Sequence, residues 1–70
     1  MDIENVTVKN RLEQILASRG IKQIWLAEQV GITRQTMSNL VKNRYATSTE
    51  IGLKIAYILD MDFNDIFYLE

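Results

Sequence analysis

The run from Gln23 to Leu40, QIWLAEQVGITRQTMSNL, constrains this chain most, because it places two short helices on either side of one tight joint. Leu26, Ala27 and Val30 stand at i, i+1 and i+4, which puts them on one face of a helix at about 100° per residue. Gly31 then stops that helix, since a residue without Cβ takes the left-handed conformation at little cost. Ile32 follows as an apolar plug, and the Thr33 hydroxyl can cap the next helix. On that helix Met37, Leu40 and Val41 share one arc, while Arg34, Gln35, Ser38, Asn39 and Lys42 share the opposite one. Ala27 is small, so the crossing helix can come close there.

The remaining apolar positions read as helices that bury this pair. Val8, Leu12, Ile15 and Leu16 have helical spacing, and a first helix is expected from about Val6 to Ser18, with Gly20 as its left-handed end. Helix two is expected over Gln23–Val30 and helix three over Arg34–Lys42. Thr47-Ser48-Thr49-Glu50 reads as a capping box led by Thr47, opening a fourth helix with Ile51, Ile55, Ala56, Ile58 and Leu59 on one stripe. Asp62 is placed to cap a last short helix through Asn64 to Tyr68, with Asp65 near its positive end. No strand is expected, and no linker, repeat or low-complexity segment is present.

Composition removes several classes of function. A chain of 70 residues makes one domain, 1–70, near the lower limit for a self-sufficient core, with no room for a separate sensing or catalytic domain. Without cysteine or histidine it has no disulfide, no common zinc site and no usual nucleophile–base pair, so neither a cofactor nor enzymatic activity is expected. Asp60-Met61-Asp62-Phe63-Asn64 has the spacing that opens a calcium loop, but Asp65 stands where that loop needs glycine and the chain ends before the twelfth ligand. No apolar stretch approaches the ~20 residues of a membrane span, and the start of the chain is acidic. A cytoplasmic protein with no small-molecule ligand is the simplest fit.

Charge is segregated along the chain. From Lys9 to Arg44 seven basic residues face Glu13 and Glu28, a net +5, whereas residues 1–8 carry −2 and residues 45–70, with Lys54 against five carboxylates, carry −4. The overall −1 therefore hides a basic segment centred on the two-helix run. Phosphate binding depends on the potential within about 8 Å of the docking face more than on the sum over the molecule.

The small residue, the glycine four positions later, the plug and the two further apolar positions make Gln23–Lys42 resemble the helix-turn-helix of phage repressor and Cro proteins, the XRE family. The resemblance extends over roughly Lys9 to Phe67. It implies an all-α, compact five-helix lambda-repressor-like fold and a DNA-binding regulator, expected to be a repressor of the phage or bacterial kind. The second helix of the motif would enter the major groove, where Thr33, Arg34, Gln35 and Asn39 carry groups suited to base edges. Lys22, Gln23, Lys42, Asn43 and Arg44 would meet backbone phosphate, Gln23 by its match to the family's phosphate-binding position. One such unit reads few base pairs, so a homodimer on a palindromic duplex operator is expected, with Tyr68 and Leu69 as interface residues and Phe63 and Phe67 completing the core. Ile24 and Trp25 occupy positions usually polar in the family and are expected to cover helix one or four. The alternative is a protein-interaction module, an antitoxin or adaptor, built on the same fold.

Three positions depart from the family pattern. Asn43 stands where glycine is usual, and asparagine is the next most tolerant residue in a left-handed cap. Leu16 and Val41 replace an arginine and a glutamate that commonly pair, so direct Leu16–Val41 contact is expected. The proline that often opens helix four is absent, with Thr47 in the capping role.

Overall fold

A computed structural model describes residues 5–70; Asp2 and Glu4, which contribute to the acidic N-terminal charge, lie outside the described residues. The elements in order are β1 (Val8–Asn10), α1 (Leu12–Arg19), α2 (Gln23–Val30), α3 (Arg34–Val41), α4 (Thr49–Leu59), α5 (Phe63–Ile66) and β2 (Phe67–Leu69). Five helices surround one core whose fully buried members include Leu12, Leu26, Met37, Ile55 and Ile66. Leu16 and Val41 are both buried in that same cluster, where two apolar side chains avoid the cost of desolvating an ion pair.

The five expected helices are present and the chain is predominantly helical, but a small sheet overturns the expectation that no strand forms. β1 and β2 pair antiparallel in the register Val8↔Leu69, Lys9↔Tyr68 and Asn10↔Phe67. Thr7 and Glu70 extend the ladder by exchanging N–H···O bonds of 3.0 and 2.9 Å. The first helix accordingly begins at Leu12 rather than Val6, and the last spans Phe63–Ile66, leaving Phe67 and Tyr68 in a strand. Helical spacing at Val8 was misleading because its partner lies at the other end of the chain, and β-pairing of such distant segments leaves no local periodicity.

Four helices end in left-handed residues: Gly20 (φ 66°), Gly31 (φ 79°), Asn43 (φ 59°) and Asp60 (φ 55°). At all four the N–H of the following residue folds back onto the helix, Ile21 to Leu16, Ile32 to Ala27, Arg44 to Asn39 and Met61 to Ala56. Ile21, Ile32 and Met61 then pack against the core, so three of the four turns are sealed by the side chain that follows, while Arg44, after Asn43, stays exposed. Gly20, Gly31 and Asn43 take the conformation that their residue types suggest; Asp60, which in the sequence stands out only through its calcium-loop spacing, adopts it as well. At α4 the cap is Ser48, not Thr47: the Ser48 hydroxyl accepts from the Ile51 N–H at 3.2 Å. Asp62 occupies the N-cap position of α5 but its side chain makes no capping hydrogen bond.

Gly52 lies inside α4 for a steric reason. A Cβ there would sit 2.9 Å from Cε2 of Phe63, whose ring stacks on Phe67 with centroids 4.6 Å apart. Alanine at this position gains about 1 kcal/mol of helix propensity but crowds a ring fixed between α4 and β2, at a cost of about 1–3 kcal/mol. Gly52→Ala is therefore expected to lower stability by about 1 kcal/mol in urea unfolding, the opposite of what propensity alone implies.

Candidate nucleic-acid interface

The two central helices meet across Gly31, Ile32 and Thr33, and α3 is locked at both ends. At its start, the Thr33 hydroxyl accepts from the Thr36 N–H at 3.1 Å and lies 2.8 Å from the Thr36 hydroxyl. At its finish, the Asn43 N–H donates to Leu40 O at 3.0 Å and the Arg44 N–H to Asn39 O at 2.9 Å. Met37, Leu40 and Val41 are buried, so the rotation of α3 about its own axis is set by the core. That rotation leaves Arg34, Gln35 and Thr36 exposed and Ser38 and Asn39 half-buried.

The exposed side chains form a connected network. The Gln35 amide donates to Asn39 Oδ1 at 3.3 Å, and the Arg44 guanidinium donates to the same oxygen at 3.1 Å. The Asn39 oxygen is thus held by two donors of the protein's own, which fixes the orientation of its amide on this surface. Three expected site residues, Gln35, Asn39 and Arg44, are joined in this way. Arg34 stands exposed at the first turn of α3, Lys22 is exposed immediately before α2, and Gln23 is its half-buried first residue. Lys42 is exposed at the end of α3.

Asn43 is placed differently from the expectation. Both polar atoms of its side chain are engaged by the backbone of Asn10, at 2.8 and 3.1 Å, and its N–H is bonded to Leu40, so these three groups already have partners inside the protein. The Thr33 hydroxyl likewise already serves the helix start.

Two residues at this face were missed. Thr36 is exposed on α3 between Gln35 and Met37, and Tyr45, 69% exposed, follows Arg44 in the loop. With Ile32, Asn39, Ala46 and Ser48 they line a concavity of about 320 Å³ beside α3. An aromatic residue directly after a basic one, in a loop flanking the polar helix, was the available signal for Tyr45.

The terminal residues form a second exposed surface. Tyr68 is half-buried, with the Arg11 guanidinium 4.1 Å above its ring. Leu69 is 59% exposed and lies opposite Val8, also exposed, so the pair forms a small apolar patch on the sheet. Trp25 lines a groove with Ile21, Ile58 and Leu59 yet remains 45% exposed, so it covers α4 only in part.

A helix pair joined by a glycine turn, with the second helix anchored by three buried residues and polar along its outer face, defines a helix-turn-helix domain. The chain belongs to the Cro/C1-type HTH DNA-binding domain family, whose model matches residues 11–70. It is 38% identical over 63 residues to YgzD of Bacillus subtilis, an uncharacterised HTH-type transcriptional regulator, covering 90% of this chain and 96% of that protein. It is 44% identical over 52 residues to an uncharacterised HTH-type transcriptional regulator of Methanothermobacter thermautotrophicus, covering 73% and 75% respectively. Its fold matches the crystal structure described as that of "a putative DNA-binding protein from Bacteroides fragilis", with a TM-score of 0.81 and 29% identity over 89% of this chain and all of that one. The transcriptional regulator VanUg is similar at a TM-score of 0.80 and 27% identity, over 100% and 93% of the two chains.

Removing the hydroxyl that starts α3 should loosen the face it presents. Thr33→Ala is expected to cost about 1 kcal/mol of unfolding free energy, whereas Thr33→Ser, which keeps the acceptor, should stay within about 0.5 kcal/mol of the parent in urea titrations.

Proposed function

We propose that the protein is a sequence-specific transcriptional repressor that inserts α3 into the major groove of an operator as a homodimer. The observation that carries this reading is the connected polar face of α3. Arg34, Gln35 and Asn39 stand outward from a helix whose rotation is fixed by Met37, Leu40 and Val41 and whose two ends are hydrogen-bonded. Arg34 can donate two bonds to guanine, and Gln35 carries the amide pair that matches adenine. Asn39, with its oxygen held by Gln35 and Arg44, offers its NH2 to an acceptor such as guanine O6 or thymine O4; pairing bidentately with adenine would require that oxygen to exchange partners.

Lys22, Gln23, Lys42 and Arg44 flank this face and are assigned to phosphate, with Tyr45 added from its exposure in the adjoining loop. Their charge draws the protein to any duplex, and α3 then selects the sequence. The acidic stretch of residues 45–70 is assigned to the side away from the duplex. Dimerisation is assigned to the Tyr68 and Leu69 end, where Val8 enlarges the apolar patch. No described helix is long and apolar enough to cross a membrane, which fits action on DNA in the cytoplasm.

A second reading, a protein-interaction module such as an antitoxin or adaptor, draws support from Ile24 and Trp25, two large apolar side chains left exposed on α2. The two readings separate in one experiment. Selection from a random duplex library by the wild-type chain is expected to enrich a short two-fold-symmetric sequence with half-sites about one helical turn apart. Binding to it should weaken steeply with salt, and Gln35→Ala with Asn39→Ala should abolish the enrichment. Lys42→Ala should reduce the slope of log affinity against log salt by about 1 without changing the preferred sequence. No enrichment at any salt concentration would favour the protein-interaction reading.

A further inference from the structure

Asn43 makes a contact that its left-handed backbone does not require. Its side-chain Oδ1 accepts from the Asn10 N–H at 2.8 Å, and its Nδ2 donates to the Asn10 carbonyl at 3.1 Å. One residue giving and receiving both main-chain bonds of another is the pattern of a hydrogen-bonded pair in an antiparallel ladder. Thr7 and Glu70 form such a pair within the sheet, so by alternation the main-chain groups of Asn10 point away from β2. The Asn43 amide therefore acts as a one-residue third strand, closing the outer edge of β1 beside the end of α3.

The link continues inward. The Asn10 side chain donates to Leu40 O at 2.8 Å, on the last turn of α3, while its Oδ1 accepts from the Leu12 N–H at 3.0 Å at the start of α1. Four hydrogen bonds thus run through a residue that is only 6% exposed. Lys42 and Arg44 stand on either side of the clamp, and the Arg44 side chain reaches on to Asn39.

We propose that Asn43 is a positioning residue, which ties the end of α3 and the phosphate-facing residues around it to the sheet formed by the two ends of the chain. This role rests on the DNA-binding reading above. Binding that orders the 42–44 turn must then also stabilise the sheet, and by linkage the formed sheet favours binding. Asn43 acts through Asn10 and α3 and makes no contact with DNA itself.

Asn43→Gly isolates the clamp, because glycine keeps the left-handed backbone and the main-chain bonds to Leu40 and Asn39 while removing the amide. The probe is the duplex pool enriched from a random library by the wild-type chain, at a temperature where circular dichroism reports both proteins fully folded. Asn43→Gly should bind this pool about 10-fold more weakly. Addition of duplex should slow amide exchange at Asn10 and Glu70 in the wild type and leave them unchanged in the variant, a response that a merely stabilising side chain would not produce. Should the glycine variant fail to fold, Asn43→Asp, which keeps the acceptor and loses the donor, carries the same comparison. Equal affinity, with equal protection of the sheet amides on binding, would overturn the proposal. Failure of the wild type to enrich any duplex would instead overturn the DNA-binding reading and the positioning role with it.

Discussion

Asn10 joins the three parts of the chain that determine what this domain presents to a partner. It pairs with Phe67 in the sheet, accepts from the first turn of α1 and donates to the last turn of α3, while its own backbone is bracketed by Asn43. It is the one buried polar residue among those described, and no buried side-chain nitrogen or oxygen there lacks a partner. Each buried polar group left unpaired would cost about 1–3 kcal/mol, against total stabilities of about 5–15 kcal/mol for folded domains. The site is thus specified more sharply than an apolar contact of the same size would be, because hydrogen bonds are directional and a displaced partner leaves a buried group unpaired.

Around this node the helices are short, and their ends matter more than their lengths. Helices of eight residues are unstable in isolation. Here α1 to α4 each finish in a left-handed residue, and three of the turns are sealed by an apolar side chain returned to the core. The same economy governs α3, where three of eight residues are buried and fix its rotation, leaving Arg34, Gln35 and Thr36 exposed. Rigid presentation of a polar face is what sequence reading in the major groove requires, since a hydrogen-bond donor displaced by an ångström no longer matches a base edge.

Much of this was legible in the amino-acid order. The α2–α3 boundaries, the left-handed glycines and Asn43, the Thr33 cap and the buried set Leu26, Ala27, Val30, Met37, Leu40 and Val41 follow from local periodicity and cap chemistry, which act over a few residues. What was not legible depends on partners far apart in the chain. Val8 reads equally as a helical residue or a strand residue until Leu69 is opposite it. Gly52 reads as a weak point in α4 until the Phe63 ring is seen against it. At the site, the side-chain types were readable but their mutual contacts were not: that Gln35 and Arg44 converge on Asn39, and that Asn43 turns inward to Asn10, depends on the placement of the 42–44 turn.

The polar face of α3, flanked by the start of α2 and the turn after α3, is the surface proposed to meet DNA. Amide chemical shifts of the wild-type chain, followed by NMR during titration with its selected duplex, test this residue by residue. The largest changes are expected at Gln23 and across Thr33–Tyr45, with smaller changes transmitted to Asn10 and little change at Asp60–Asp65. Changes centred instead on Ile24, Trp25 and Ile58, with Arg34, Gln35 and Asn39 unmoved, would contradict it.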